Sequence, residues 1–202
     1  MSRDFLEDPS GTREEILAAT FDTLMEHGYA DLTIDKIGDE FDKSQSLIYH
    51  HYDGKDDVVL ETLERLLEEH RTETFDGDIE EPREWLEEVV ARPLDETIDE
   101  QKRKSLATLF ELRARAIHDD DYREHFTRSD EVFEEFLADV IEEGKEQGVF
   151  RACNPVGVAG MVITVINGAL VRRSTSESDD WIGDVRDEVQ SYLEKCVYAN
   201  DS

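Results

Sequence analysis

Apolar residues recur every three or four positions along nearly all of the 202-residue chain. This spacing places them on one face of an α-helix, and such faces pack together to form a core. In the first clear example the shared face is formed by Ile16, Leu17, Thr20, Phe21 and Leu24. The pattern predicts an all-α protein of about nine helices, with residues 1 to 11 frayed ahead of the first one.

Residues that commonly begin and end helices mark the boundaries of these segments. Short polar side chains accept hydrogen bonds from the first free N–H groups of a helix, proline fits its first turn, and glycine fits its end. The boundary residues predicted in this way are Thr12 with Glu15, Gly28, Thr33, Ser44, Asp53, Pro82, and Asn154 with Pro155. One helix is expected from Lys55 to about His70, and the helix that begins at Pro82 must kink or end at Pro93.

Residues 32 to 55 contain two short segments of this kind, joined by the polar turn Asp42-Lys43-Ser44. Their apolar anchors are Ile34, Ile37 and Phe41 in the first segment and Leu47 and Ile48 in the second. The positions left for the outside are polar, namely Lys43, Gln45, Ser46, Tyr49 and His50. This arrangement is typical of a helix-turn-helix that reads DNA, although any small helical domain can contain such a hairpin for purely structural reasons.

The longer segment from residue 12 to residue 64 resembles the DNA-binding domain of TetR-family transcriptional regulators. The matching residues are Thr12-Arg13-Glu14, Gly28-Tyr29, Thr33-Ile34, Ser44, the run from Leu47 to Tyr52, and Lys55. The resemblance implies an N-terminal three-helix DNA-binding domain and a C-terminal helical domain that binds a ligand and dimerises. It therefore implies a ligand-responsive regulator, most often a repressor that a small molecule releases from a pseudo-palindromic operator.

On this basis we expect a helix-turn-helix domain in residues 1–54 and a connecting helix in residues 55–72. An effector-binding and dimerisation domain follows in residues 73–202, after the break Phe75-Asp76-Gly77-Asp78. The segments RARAIHDDDYREHF and EEGKEQGVFR in this second part look like effector domains of the same family.

A two-fold dimer would place two recognition helices in successive major grooves of the operator. The residues expected to contact DNA are Thr33, Lys43, Ser44, Gln45, Ser46, Tyr49, His50 and Lys55. By resemblance, Thr33, Tyr49, His50 and Lys55 would hold phosphates. Lys43, Gln45 and Ser46 are candidates for base edges, because lysine suits guanine acceptors and glutamine suits adenine. The family usually has a small apolar residue in place of Lys43, so the base contacts are the part that the resemblance leaves open. Tyr52 is interpreted as a packing aromatic.

The effector is expected to lie among the helices of the second part, where large apolar residues converge. The candidate ligand contacts are Trp85, Phe110, Arg113, Ile117, Phe133, Phe136 and Asn167. Arg113 stands on the apolar side of its helix, and a buried charge needs a partner. Two interpretations remain open: Arg113 pairs with a glutamate inside the domain, or it contacts an anionic ligand.

Residues 155 to 173 are apolar on nearly all sides and rich in small residues, so this helix must be covered all round. One amphipathic helix at residues 179 to 198 is too little cover, whereas two copies of both helices form a four-helix interface about a two-fold axis. The residues expected in this homodimer interface are Val158, Met161, Val162, Val165, Ala169, Trp181, Val185, Val189 and Tyr192. The alternative is the core helix of a monomer.

The charge of the chain is unusual for a protein that binds DNA. The sequence has 52 acidic and 22 basic residues, a net charge of −30, with acid spread along the chain rather than gathered in a tail. This looks like the acidity of proteins from salt-accumulating halophiles, where a Debye length of about 3 Å at molar salt screens repulsion from the phosphates. The competing interpretation is a helical adaptor or interaction protein that no longer binds DNA.

Other classes of protein are less compatible with the sequence. None of the six histidines follows a glutamate at the spacing of a di-metal oxidase, and no phosphate loop, nucleophile elbow or zinc spacing is present. We therefore expect no enzyme, no metal and no cofactor. No secretory signal is evident, and no apolar run was expected to reach the roughly 18 residues of a membrane span. Cys153 and Cys196 fit a reduced cytoplasm.

Overall fold

The computed structural model describes residues 4–41, 43–72 and 79–199, and in these the chain is helical, which confirms the all-α prediction. The helices are α1 (Asp4–Glu7), α2 (Thr12–His27), α3 (Ile34–Glu40), α4 (Ser46–His51), α5 (Lys55–His70), α6 (Pro82–Ala91), α7 (Glu100–Arg115), α8 (Asp120–Glu146), α9 (Pro155–Thr175) and α10 (Ile182–Cys196). The single β-bridge among these residues joins Phe150 and Tyr198.

The chain forms two compact units. The first unit contains Met1–Phe75 and Ala107–Arg128, and the second contains Asp76–Leu106 and Ser129–Ser202. The change from one unit to the other thus falls inside α7 and again inside α8. The expected break at residues 75–78 lies outside the described residues, and the expected division into domains stays a prediction.

The core of the first unit is built on the inner face of α2. Ile16, Leu17 and Leu24 of this helix are buried, and Val58 and Val59 of α5 close the core against them. The C-terminal part of α7 and the first turns of α8 belong to the same core. They contribute Leu112, Tyr122 and Phe126.

The expectation that residues 1 to 11 fray is wrong for the described part of that segment. Phe5 on α1 is only 1% exposed, and its backbone N–H donates to Glu69 Oε1 on α5 at 3.3 Å. The Arg65 guanidinium lies 4.9 Å from the centre of the Phe5 ring. Full burial of a phenylalanine contributes about 1.5–3 kcal/mol, which is enough to hold one helical turn in place. The local pattern gives no helical apolar face here, because Phe5 and Leu6 are adjacent and have polar residues on both sides.

The predicted helix boundaries are correct in position more often than in the side chains that were expected to cap the helices. Thr33 caps α3 as expected, since its hydroxyl accepts from the Lys36 N–H at 3.2 Å, and Gly28 ends α2 with a φ of 73°. The capping box of Thr12 and Glu15 is wrong, because the residue before α2 is Gly11 and makes no side-chain cap.

The other expected side-chain caps do not form, and only α2 has a different side-chain contact near its start. Glu14 accepts from both the N–H and the hydroxyl of Ser10, at 2.8 and 2.6 Å. The Ser44 side chain does not cap α4, and its hydroxyl lies 2.8 Å from that of Ser46. Asp53 does not cap α5, and Asn154 precedes α9 without a side-chain cap.

The second unit has its own core, formed by α6, the C-terminal part of α8, α9 and α10. Pro82 occupies the first turn of α6, and this helix ends ahead of Pro93, as expected. The innermost side chains, each no more than 2% exposed, include Leu86, Val90, Leu94, Leu137, Ile141, Ala159, Val162, Ile182, Leu193 and Val197.

A fully buried arginine ties the ends of three helices together in the second unit. Arg173, near the end of α9, is 0% exposed. Its Nε donates to Asp179 at 3.2 Å and its Nη1 to the carbonyl of Pro93 at 3.2 Å, while Nη2 donates to the carbonyl of Asp95. Arg103 on α7 donates to the same Asp179 carboxylate at 2.7 Å and to the Arg173 carbonyl at 2.8 Å. These bonds fix the segments that follow α6 and α9.

We expect Arg173→Met to lower the free energy of unfolding by about 3 kcal/mol or more, because it leaves buried carbonyls and part of a buried ion pair without a donor. Arg186→Met is the matched control. Arg186 pairs with Glu96 at 2.7 Å on the surface, where both side chains are partly exposed, so its loss should lower the free energy of unfolding far less than the loss of Arg173. Urea unfolding followed by circular dichroism measures both variants, and equal effects would contradict the structural role of Arg173.

Candidate DNA-binding surface

We call α3, the turn after it and α4 (residues 34–51) the reader hairpin. Each helix of the hairpin has one fully buried side chain, Ile37 in α3 and Ile48 in α4, both 0% exposed. Tyr49, next to Ile48, is 60% exposed, and Lys43, Ser44, Ser46 and His50 are exposed as well. The structure thus turns the polar positions of α4 to the outside, as the sequence predicts. Asp42 lies outside the described residues.

Three of the four expected phosphate contacts, all but His50, line an open depression of about 360 Å³ beside the hairpin. Its walls are Leu32, Thr33, Ile34, Asp35, Tyr49 and Lys55. The Thr33 hydroxyl accepts from the Lys36 N–H, which leaves its own hydrogen available to a phosphate oxygen. The Tyr49 hydroxyl is a second donor at the same rim.

Lys55 lies in this depression, but its ammonium is already engaged. It donates to the carbonyls of Tyr29 and Leu32, both at 3.2 Å, and lies 4.2 Å from the centre of the Tyr29 ring. These contacts tie the start of α5 to the segment between α2 and α3. Lys55 therefore has a positioning role in the structure, beside the predicted phosphate contact.

Lys43, expected to face a guanine, points back to α2 instead. Its ammonium pairs with the Glu15 carboxylate and donates to the Thr12 hydroxyl at 3.3 Å. The contact joins the turn of the reader hairpin to the first turn of α2. A base contact from Lys43 would have to replace this ion pair, and it stays a prediction.

Gln45 is held by α3. Its Nε2 donates to Asp35 Oδ1 at 2.7 Å, and its side chain runs across Gly38, where a Cβ atom would lie 2.9 Å from Gln45 Cγ. The residue directly precedes α4 with a helical backbone conformation. Its amide is therefore placed at the point where the two helices of the hairpin meet.

Tyr52 packs inside the first unit, as interpreted from the sequence, and is 3% exposed. Burial raises the pKa of its hydroxyl well above the ordinary value, so the phenol stays protonated. A residue this enclosed is not available to DNA, in contrast to Tyr49 three positions earlier.

Around the hairpin, exposed carboxylates outnumber lysines. The exposed acids are Asp31, Asp35, Asp39, Glu40 and Asp53. The lysines of the same stretch are Lys36, Lys43 and Lys55, of which the last two have partners inside the first unit. The surface that would approach DNA is thus polar and acidic rather than basic.

A cluster of partly buried polar groups, which sequence reasoning missed, holds the frame of the hairpin. Glu111 on α7 accepts from the backbone N–H groups of Tyr29 and Ala30, both at 3.1 Å, just after the end of α2. Asp56 on α5 accepts from the hydroxyls of Tyr29 and Tyr122, the latter at 3.1 Å. Burial and the Asp56 carboxylate raise the pKa of both tyrosines, so both remain donors.

Arg115 completes this cluster. Its guanidinium lies 4.5 Å from the Tyr29 ring and 5.0 Å from the Tyr122 ring, and it pairs with Asp56 at 3.3 Å. No local pattern predicts these contacts, because they join residues from four separate segments. The match at Gly28-Tyr29 was the one available signal that this position matters.

The candidate effector contacts are divided between the two units. Phe110, Arg113 and Ile117 belong to the first unit, whereas Trp85, Phe133, Phe136 and Asn167 belong to the second. Ile117 lies beyond the end of α7 and is 69% exposed, and Phe133 is 38% exposed, so neither is the buried apolar residue that the pattern suggested.

Two of these candidates have defined ring contacts. The rings of Trp85 and Phe136 meet edge to face, 5.4 Å apart. The Arg113 guanidinium lies 5.1 Å from the centre of the Phe126 ring. Among the described residues, no group of three or more histidine, cysteine or carboxylate side chains is placed to hold a metal ion.

The expected dimer residues fall into two classes within the single chain. Val158, Val162, Ala169 and Val189 are at most 9% exposed, so the subunit itself covers them. The remaining ones, Met161, Val165, Trp181, Val185 and Tyr192, are half-buried. On the same helix α9, Val156 and Val171 are 67% and 43% exposed, so an apolar face remains uncovered.

By length and composition alone, α9 is also long and apolar enough to cross a membrane. The mean hydropathy of its most apolar 18-residue stretch is 1.5, and 22% of that stretch is buried in the single chain. The expectation that no apolar run reaches this length is therefore wrong. The outer face of α9 needs a cover that the single chain does not supply.

Comparison with known proteins agrees with this geometry. A family model described as bacterial regulatory proteins of the tetR family matches residues 16–62, and one described as BetI-type transcriptional repressor, C-terminal, matches residues 82–197. The transcriptional repressor AcnR from Corynebacterium efficiens is 24% identical over 192 residues, which cover 93% of this chain and 95% of that protein.

Solved structures show the same fold. A TetR transcription regulator from Haloarcula marismortui is 30% identical, with a TM-score of 0.77 over 92% of this chain and 97% of that one. A transcriptional regulator from Saccharomonospora viridis, crystallised in complex with choline, is 21% identical, with a TM-score of 0.73 over 93% of this chain and 98% of its own. These proteins are transcriptional regulators and not enzymes. Because the C-terminal model alone spans more than half of the sequence, the chain belongs to the TetR family of transcriptional repressors.

Proposed function

We propose that this protein is a cytoplasmic homodimeric repressor that binds a pseudo-palindromic operator and leaves it when a small molecule binds. The observation that carries the proposal is the outward polar face of α4, where Tyr49 is 60% exposed beside a fully buried Ile48. Two such faces about a two-fold axis enter successive major grooves of a duplex. The DNA-binding family matched by residues 16–62 supports this role.

Within each half-site the contacts divide by chemistry. The hydroxyls of Thr33 and Tyr49, with the exposed His50, bind phosphates and set the register. Gln45 and Ser46 face base edges. Lys55 holds the start of α5 through its two carbonyl contacts and contributes charge rather than a free donor.

A second candidate, an adaptor that no longer binds DNA, is favoured by the acidic surface and by the internal pairing of Lys43. Band-shift assays at molar KCl with DNA from upstream of its own gene separate the two candidates, because salt then screens diffuse repulsion. We expect a specific complex that excess unrelated DNA does not displace. A failure to retard any genomic fragment under these conditions would favour the adaptor.

Two tyrosines offer a matched test in the same assay. Tyr49→Phe removes one exposed phosphate donor worth about 1 kcal/mol from each subunit, or about 2 kcal/mol per dimer, so affinity should fall about thirtyfold, equally for matched and mismatched sites. Tyr52→Phe changes the same atom at a 3% exposed residue and should leave DNA affinity unchanged. Equal affinities for wild type and Tyr49→Phe would remove Tyr49 from the interface.

For the dimer, we propose that the uncovered face of α9 packs against a second copy, with α10 beside it. Support comes from the apolar surface of α9 that the single chain leaves open and from the dimer that the family resemblance implies. Small residues on this face, such as Gly168, allow two helices to approach closely.

Gly168→Arg tests this interface. A side chain at residue 168 meets nothing within 4 Å in the chain, and arginine favours a helix over glycine by about 0.8–1 kcal/mol, so the subunit should still fold. We expect light scattering to report a monomer and operator affinity to collapse. Gly11→Arg, equally open but in the first unit, should stay dimeric. A dimeric Gly168→Arg would rule out this face.

For the effector, we propose a small organic cation. Support comes from the choline bound to the Saccharomonospora viridis protein and from the ring pair of Trp85 and Phe136. Aromatic faces attract quaternary ammonium groups. The competing hypothesis, an anionic ligand on Arg113, is less favoured because this guanidinium already lies over Phe126.

Thermal unfolding with choline tests the sign of the ligand charge. At about a hundredfold excess over its dissociation constant, choline should raise the melting temperature by about 5 °C or more. Trp85→Leu should abolish the shift, whereas Trp181→Leu should keep it. A shift with succinate instead of choline, lost in Arg113→Ala, would establish the anionic alternative.

A further inference from the structure

Gln45 is the base-reading candidate whose side chain is already held in place. Its Nε2 donates to Asp35 Oδ1 at 2.7 Å, across ten residues of sequence. The rest of the side chain lies over Gly38, since a Cβ there would come within 2.9 Å of Cγ, 3.2 Å of Cδ and 3.1 Å of Nε2. Asp35 and Gly38 are three positions apart and share one face of α3. Two independent features of α3 therefore act on one amide.

Gly38 is unfavourable for the helix that contains it. A glycine inside a helix costs about 0.5–1 kcal/mol relative to alanine. Its φ is not in the left-handed region, so the backbone does not require glycine here. What the missing side chain provides is the space that the Gln45 side chain occupies.

The Asp35 carboxylate decides which end of the Gln45 amide faces it. An ionised carboxylate only accepts hydrogen bonds, so it binds the NH₂ group and repels the carbonyl oxygen. The flipped amide is excluded, and Oε1 is left with one N–H for a base. An acceptor beside a donor matches adenine, which offers its N6 amino group and N7, whereas guanine presents two acceptors.

We propose that Asp35 and Gly38 are positioning residues that fix the Gln45 amide in one orientation and so set an adenine preference at one position of each half-site. The inference rests on the proposed DNA binding and adds the residues that determine specificity. Because the amide is held before DNA arrives, ordering a free glutamine side chain is not part of the cost of binding.

The test measures a ratio of affinities at molar KCl. The wild-type protein first selects a duplex from random DNA, and its affinity for this duplex is compared with its affinity for each single-base variant. The same comparison with Gln45→Ala locates the position at which this substitution removes the base preference. A bidentate contact discriminates between bases by about 1–3 kcal/mol. The ratio of the affinity with adenine at this position to the affinity with another base should therefore be about ten in the wild type and close to one in Gln45→Ala.

Asp35→Asn and Gly38→Ala should both lower the adenine preference at that same position several-fold. Asparagine has nearly the same shape but tolerates either amide orientation. Alanine at residue 38 displaces the flexible Gln45 side chain from Cγ outward and favours the helix, so the variant should fold. In the Gln45→Ala background, neither substitution should change the ratio further.

Asp39→Asn is the matched control. Asp39 is an exposed carboxylate on the same helix, so its loss removes the same charge and should raise affinity for all duplexes without changing the ratio. The proposal is overturned if Asp35→Asn and Gly38→Ala keep the wild-type ratio while Gln45→Ala loses it. It is also overturned if Asp35→Asn changes the ratio in the Gln45→Ala background, since Asp35 would then contact a base directly. A wild-type protein that selects no duplex would refute the proposed function itself, and this inference with it.

Discussion

The reader hairpin depends on the burial of two isoleucines. Its helices span seven and six residues, and isolated helices shorter than about 12–15 residues are marginal in water. Ile37 and Ile48, both fully buried, hold them on α2 and α5, and each contributes about 1.5–3 kcal/mol by leaving water. Since these inner residues fix the orientation of both helices, the outer side chains are not needed for folding and are available for recognition.

The electrostatics of the hairpin differ from those of a typical DNA-binding surface. Lys43 and Lys55 are the two lysines that the sequence predicts to contact DNA, and both have partners inside the first unit. Each phosphate that a cation neutralises adds about −0.9 to the slope of log K against log salt, so a surface with few free cations has a shallow slope. Recognition then depends more on hydrogen bonds and fit, which makes the fixed orientation of Gln45 matter more than the total charge.

The sequence predicts interactions between residues that are close along the chain better than interactions between residues that are far apart. Helix positions, the Thr33 cap, the proline at the start of α6 and the outward face of α4 all depend on neighbours within a few residues, and the structure confirms them. The contacts of Phe5, Arg173 and Lys43 that the sequence did not predict include residues 28 to 80 positions away. A row of apolar residues also does not show whether its own subunit or a second copy covers it. For this reason the sequence predicts the same interface for the buried and the half-buried residues of α9.

Both α7 and α8 contribute residues to each of the two units. In the first unit, Glu111 and Arg115 of α7 and Tyr122 of α8 hold the end of α2 and the start of α5, the two segments that flank the reader hairpin. A ligand changes operator affinity only by its preference between two states, typically about 1–3 kcal/mol. These hydrogen bonds are only partly buried and contribute about 0.5–1.5 kcal/mol each, so the loss of one or two of them is of that size. A small displacement of α7 is therefore sufficient, in energy, to disturb the frame without unfolding the hairpin.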